Sequence, residues 1–339
     1  MYYRLNIFIA VIIGSGGVYG QTAGEQSYDF VNIPYTARIT SLGGNNISAY
    51  GEDVNVIFSN PSAVSDSMSG SLSVNYLNYF ADASLSSFAY VHTFKKYGTF
   101  SIGAQRMNLG DFQGYDDSGN PTAIFNSGST LILIGHSRKV NNFRIGLDLK
   151  LAFSTIAHYR SSALMFDIGG MFVHPSKQVY VGMTIKNLGF TLSEFTETND
   201  SVLPFDVQLG VTFKPEHMPF RFSLTAMNFA KTRTAYFDPN DGVLSEEPGI
   251  VDKALMHLII GTELLIGKNV IVRGGYNHKV RKELRLDQVG GGAGFSFGFA
   301  FKIKTFELAY GHGGYHPAGG SNNFTITTNV GKMINKSSK

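Results

Sequence analysis

The sequence predicts an all-β protein: a transmembrane outer-membrane β-barrel of about 14 antiparallel strands, closed around an N-terminal plug segment. Three observations carry this. Charged residues are only 16% of the 339-residue chain, against roughly 25% in soluble globular proteins. Segments of strict apolar/polar alternation recur along most of the chain. The connections between them sort into short and long. The 13% aromatic content, with 27 Phe, 17 Tyr and no Trp, excludes disorder at this low charge. No apolar run reaches the roughly 20 residues of a membrane-spanning helix.

The N-terminus reads as a secretory signal over 1–20. Arg4 supplies a positive start, Leu5 to Ile13 an apolar stretch interrupted by Asn6, and Val18-Tyr19-Gly20 a small residue before Gln21. No cysteine follows, so lipoprotein processing is excluded, as are disulfides and thiol chemistry. Residues 21–70 break the strand pattern with Pro34, Gly43-Gly44, Asn45-Asn46 and Asn60-Pro61. They are too many for a tail and read as a plug in or under the lumen.

The barrel occupies 71–331. Phe143, Ile145, Leu147, Leu149, Leu151 and Phe153 alternate with Arg144, Gly146, Asp148, Lys150 and Ala152. Phe205 to Phe213 and Ala293 to Phe301 repeat that period of two. The same test yields fourteen strands: 71–79, 84–94, 98–108, 128–138, 142–154, 161–174, 178–187, 203–214, 219–229, 256–266, 270–279, 291–303, 305–312 and 322–331. Most match the roughly 9–11 residues that cross a bilayer at a tilt.

Connections 95–97, 139–141, 175–177, 215–218, 267–269 and 304 are short, whereas 109–127, 155–160, 188–202, 230–255, 280–290 and 313–321 are longer. The connection between the first two strands is about four residues long and departs from the pattern. Tight turns inside and longer loops outside are the outer-membrane layout, and an even strand count puts both ends on the periplasmic side. The oily face points to lipid. The other face brings Arg144, Asp148, Lys150, Asp206, Arg221, Glu263, Arg273, Lys302 and Glu307 into the lumen, with both signs available for pairing. Residues 332–339 form a short basic tail.

The stretch from Thr36 to Val64, with Leu42, Gly43, Gly44, Asn45, Asn46, Asn60 and Pro61, resembles the plug signature of barrels related to the fatty-acid transporter FadL. Within that superfamily, Tyr28 to Pro34, Leu42 to Ser48, Val74 to Asp82, Pro219 to Thr225, Gly275 to Leu284 and Tyr315 to Phe324 resemble the PorQ-like barrels of the type IX secretion system. These stretches are spread over nearly the whole chain after the signal. The resemblance implies a non-enzymatic barrel, without cofactor, that anchors a PorZ-like surface protein in the PorU/PorV-type attachment complex. That complex processes secreted cargo and links it to surface lipopolysaccharide. The chain departs from many outer-membrane barrels in ending Gly331-Lys-Met-Ile-Asn-Lys-Ser-Ser-Lys339 rather than on an aromatic residue.

Chemical motifs are few. Gly294-Phe-Ser-Phe-Gly298 matches the nucleophile elbow, but the elbow needs a strand-to-helix turn and this match lies inside a strand. His312 and His316 stand four apart, a metal spacing only on a helix that Gly313, Gly314 and Pro317 oppose. Phospholipase chemistry would need a Ser–His pair on a lipid face that is apolar here. No phosphate-binding glycine loop is present, and a net charge of +3 is too balanced for nucleic acid.

The long loops combine acid and aromatic residues, a composition suited to docking a protein. Tyr115 and Asp116 in 110–128, Phe195 in 190–201, and Tyr236 and Phe237 in 236–250 are the candidate partner-binding residues. The short turns lean basic, with Lys95, Lys96, Lys139, Lys177 and Lys268. The alternative reading is a transporter of hydrophobic small molecules across the outer membrane. A lateral gap with an apolar pocket beneath the plug would favour transport. A sealed lumen with a partner-sized outer surface would favour the anchor.

Overall fold

Fourteen antiparallel strands close into one barrel in the computed structural model, which describes residues 27–49, 51–79, 83–196, 201–230, 249–284, 292–316 and 319–337. In chain order they are β1 Ser71–Asn78, β2 Ser84–Phe94, β3 Gly98–Tyr115, β4 Pro121–Val140, β5 Phe143–Ile156, β6 Tyr159–Val173 and β7 Gln178–Ser193. Then come β8 Asp206–Lys214, β9 Phe220–Ala226, β10 Leu258–Ile266, β11 Val270–Asn277, β12 Phe295–Ile303, β13 Phe306–His316 and β14 Gly319–Asn329. Every strand pairs with its sequence neighbours, and β1 pairs with β14 from Ser71↔Asn329 to Asn78↔Asn322. Closure removes the edges whose unpaired backbone groups a membrane would not tolerate. The fold class read from the sequence is borne out.

The alternation sets the two faces. Ile145, Leu147, Leu149 and Phe153 of β5 are exposed on the outside, while Arg144, Asp148, Lys150 and Ala152 are buried. From Phe143 to Phe153 this apolar face matches the roughly 25 Å band of outer-membrane barrels.

Several boundaries move. The expected loop 109–127 is mostly strand: β3 and β4 pair out to Tyr115↔Pro121 and leave only 116–120 at the tip. Bulges at Asn108/Gly110 and Gln113/Tyr115 re-aim this ribbon. The expected loop 155–160 shrinks to a turn at 157–158, and β7 continues through Ser193 into the expected loop 188–202. Alternation fades there because both faces leave the lipid, so period-two patterning no longer marks the strand. Two other connections between strands carry the short helices α2 Ile250–Leu255 and α3 His278–Glu283. The expected tail continues as α4 Val330–Ser337. The predicted signal 1–20 lies outside the described residues.

Residues 27–70, apart from 50, thread the lumen as the five-residue helix α1 Ala37–Ser41 and short 3₁₀ turns. Thr36 caps α1 by accepting from the Ile39 amide, and Asp53 caps Val54–Phe58 by accepting from the Asn55 amide.

Candidate functional site: a fitted plug and a raised outer wall

The plug is seated by glycine. Gly103, Gly146, Gly169, Gly182, Gly210, Gly261, Gly275, Gly298 and Gly311 each belong to a different strand and each face the plug. A Cβ on Gly146 would stand 2.4 Å from the Pro61 carbonyl carbon, and one on Gly275 would stand 2.2 Å from the Gly43 nitrogen. The wall therefore comes to the plug at backbone distance. Alternation along the sequence put Gly146 on the inner face of its strand but did not tie it to the plug; one glycine at a lumen-facing position on each of nine strands was the signal available.

The plug residues named from the sequence hold this fit. Leu42 is buried against Gly261 and Gly275. Gly43 and Gly44 turn the chain at φ 93° and 99°, a left-handed region that favours glycine. The Gly43 amide donates to Ser296 Oγ at 3.0 Å, and Asn277 Nδ2 donates to the Gly43 carbonyl at 3.1 Å. Ser296 is therefore a docking acceptor inside β12, not an elbow nucleophile. Asn45 Nδ2 donates to Gln208 Oε1 at 2.9 Å. Asn46 Oδ1 accepts from the Ser48 amide at 3.1 Å. Asn60 Oδ1 accepts from the Ser62 amide at 3.0 Å, its Nδ2 donates to the Ile47 carbonyl at 2.9 Å, and Pro61 opens the turn that follows.

Ion pairs clamp the plug, most densely on the β9 to β13 side. Glu263 receives Arg38 Nη2 at 3.0 Å, Arg221 Nη1 at 2.9 Å and Arg273 Nε at 3.0 Å. Arg38 belongs to the plug and also reaches Asp53 at 3.4 Å. Lys302 bridges Glu307 at 3.4 Å and plug Glu52 at 3.1 Å, and Arg144 reaches plug Asp66 at 3.2 Å. Lys150 pairs with Asp167. Asp148 lies buried across the register from Asp167, and Asp206 accepts from the Asn228 amide at 3.0 Å. The charged residues assigned to the lumen face all lie on it, and most pair across strands or with the plug. Arg38 as the plug's contribution was not foreseen.

Among the described residues, two cavities flank the plug. One of about 320 Å³ is lined by Tyr35, Phe58, Lys186, Asp206, Gln208 and Asn228 among others, and mixes apolar with polar groups. Lys186 Nζ donates to the Phe58 carbonyl at 3.1 Å on its wall. The other, of about 270 Å³, lies among Arg221, Glu263, Arg273, Lys302 and Glu307.

The outer rim is uneven. β2 ends at Ser84 opposite Asn108, and β8 begins at Asp206 opposite Lys186. Strands β3 to β7 run past both neighbours and stand as a wall. Gly110–Tyr115 alone extends about 20 Å at roughly 3.3 Å per residue. Phe112 and Phe125 stack across it with centroids 5.6 Å apart. Tyr115 is 66% exposed near the tip. Asp116 shapes that tip: its Oδ1 accepts from the Asn120 amide at 2.8 Å and the Ser118 amide at 2.9 Å. The Asn120 amide and side chain hold its carboxyl below the usual range. Phe195 is half-buried in the connection after β7. Tyr236 and Phe237 lie outside the described residues, so the structure joins only Tyr115 and Asp116 at one place. His312 sits on β13, hydrogen-bonded through Nδ1 to Asn322 Oδ1 at 3.0 Å.

No protein-family model matches the sequence, and no curated protein matches it significantly. Solved structures do. The Pseudomonas putida toluene transporter TodX aligns with a TM-score of 0.52 at 12% identity, over 88% of this chain and 98% of that one. A TodX monoaromatic hydrocarbon channel mutant gives 0.53 at 13%, over 87% and 97%. A Pseudomonas aeruginosa FadL homologue gives 0.46 at 12%, over 88% and 99%. At these identities the likeness is one of fold: the chain, a closed 14-strand barrel, shares the fold of TodX.

Proposed function

We propose that this barrel is a non-enzymatic, plugged scaffold of the outer membrane, reached through export behind the 1–20 signal. The fitted plug carries the reading. A segment pressed against glycines of nine strands and clamped at Glu263 is not built to slide aside. That leaves the wall of β3 to β7 as the surface on offer. The resemblance of Tyr28 to Pro34, Leu42 to Ser48 and the later stretches to PorQ-like barrels supplies the partner: a PorZ-like surface protein of the type IX attachment complex.

The second reading is a transporter of hydrophobic small molecules. The cavity of about 320 Å³ beside the plug favours it, as does the fold shared with TodX, a toluene transporter. One pair of variants separates the two. Replacing 109–127 by a two-residue turn between Asn108 and Gly128 removes the ribbon and keeps the barrel rows. Replacing Gln208 by Phe fills the cavity. The scaffold reading expects the ribbon variant to shed the PorZ-like protein from cells while the cavity variant retains it. Transport expects the cavity variant to lose uptake of a hydrophobic solute such as toluene, with the surface partner unaffected by either. Full retention of the surface protein after loss of the whole barrel ends the scaffold reading.

A further inference from the structure

Arg106 is the feature that neither reading uses. It lies on the outward, lipid-facing side of β3, beyond Phe100, Ile102 and Ala104, and is exposed. The apolar face ends at the same level on the neighbouring strands. Exposed Ile132 and Ile134 of β4 give way to Thr130, Phe153 of β5 to Thr155, and Leu164 of β6 to Ser162. Register joins these positions: Arg106 pairs with Thr130, Thr130 with Phe153, and Phe153 with Ser162. Arg106 therefore stands where the apolar band meets the headgroup layer, on the side opposite the tight turns.

The guanidinium is held there. Its Nη1 donates to Thr130 Oγ1 at 2.8 Å. A Cβ on Gly128 would stand 3.2 Å from its Nη2, so the glycine provides the bed across which it lies. The remaining donors of the fork have no protein partner among the described residues. A planar fork with spare donors suits a phosphate, which it can bind through two parallel hydrogen bonds. An arginine on the outward face is tolerated only near the interface, which is where anionic headgroups lie. One register step further, Arg160 of β6 faces outward beside Thr155, adding a second exposed cation on the same face.

We propose that Arg106, tethered by Thr130, binds a phosphate of a phosphorylated outer-leaflet glycolipid and so fixes a lipid against the foot of the raised wall. The probe is diphosphoryl lipid A, titrated into the purified full-length barrel in neutral detergent and counted as bound adducts by native mass spectrometry. The native barrel retains the lipid. Arg106→Gln, whose folding is checked by heat-modifiable mobility, binds it about tenfold more weakly, the loss expected of a charge-assisted contact. Lys139→Gln, near the end of β4 on the other rim, binds it as the native chain does. Dephosphorylated lipid A binds the native barrel as weakly as the intact lipid binds Arg106→Gln. That comparison uses the native chain and stands even if the variant misfolds. Inorganic phosphate in excess without acyl chains leaves the Arg106-dependent adduct in place. Equal binding of the phosphorylated and dephosphorylated lipids would overturn the proposal, as would undiminished binding by folded Arg106→Gln. Displacement by free phosphate would overturn it too, by assigning the site to a soluble anion.

Discussion

The two halves of the lumen hold the same plug by a different balance of chemistry, with Arg144–Asp66 the ion pair to the plug on the more apolar half. On the β2 to β6 side, Leu85, Val91, Leu131, Leu133, Met165 and Met171 bury against plug residues Ile57, Phe58 and Val64. On the β9 to β13 side, Arg221, Glu263, Arg273, Lys302 and Glu307 meet Arg38, Glu52 and Asp53. The oily half is also the half whose strands rise into the outer wall. Apolar packing is non-directional and tolerates small shifts, whereas a buried carboxylate shared by three guanidiniums demands one geometry. The ionic half therefore fixes where the plug sits, and the oily half supplies contact area beneath the wall.

The sharpest way to break that comparison is Glu263→Leu. It leaves three guanidiniums around an apolar side chain, and removing one partner of a buried ion pair costs about 3–5 kcal/mol. The heat-resistant folded band on gels should be largely lost. If the variant stays as heat-resistant as the native barrel, the clamp is solvated and the two halves do not differ as argued.

The sequence showed this fold better than its plug. Fourteen strands were legible because each must alternate for ten residues to separate lipid from lumen. The polar lumen was legible wherever charge appeared on the inner face, as at Arg144, Asp148 and Glu263. It was not legible at Leu131 and Leu133, which face inward beside outward-facing Ile132 and Ile134. A continuous apolar run hides which half of it meets protein. The raised wall was hidden for a related reason: above the lipid both faces meet water, so Gly110–Tyr115 carries no period and reads as loop. The docking of Gly43 and Asn60 depends on contacts across more than a hundred residues, which spacing along one chain does not report.

A lipid-side counterpart has the next largest effect. Leu149→Arg, at an exposed position of β5, should cost about 2–4 kcal/mol near mid-depth. The neighbouring inward change Asp148→Ala should cost less, since that carboxylate makes no hydrogen bond among the described residues. The fraction of heat-modifiable barrel in each variant measures the difference. Equal losses would mean that the face assignment fails on the oily half.

Seating by glycine is tested more gently by Gly146→Val. The added carbons meet Pro61 backbone rather than a flexible side chain, and overpacking of that kind costs about 1–3 kcal/mol. The barrel should survive while the plug shifts. Protease trimming of 27–70 in intact, folded barrels should rise above the native level. Unchanged protection would show that the plug yields without loosening.

The smallest perturbation asks only which rim is outside, and it bears on every use of the wall. Ser118 is exposed at the tip of the β3–β4 ribbon, and Ser176 is exposed in the tight turn between β6 and β7. They lie on opposite rims. The native chain has no cysteine, so Ser118→Cys and Ser176→Cys each give a single reactive thiol on an unreactive background. Both are surface changes away from packed positions, within about 0.5 kcal/mol of neutral. On whole cells a membrane-impermeant maleimide should label Ser118→Cys fully and Ser176→Cys only after the membrane is opened. The reverse pattern would put the raised wall in the periplasm. Arg106 would then face the inner leaflet, and the wall would be out of reach of any surface protein.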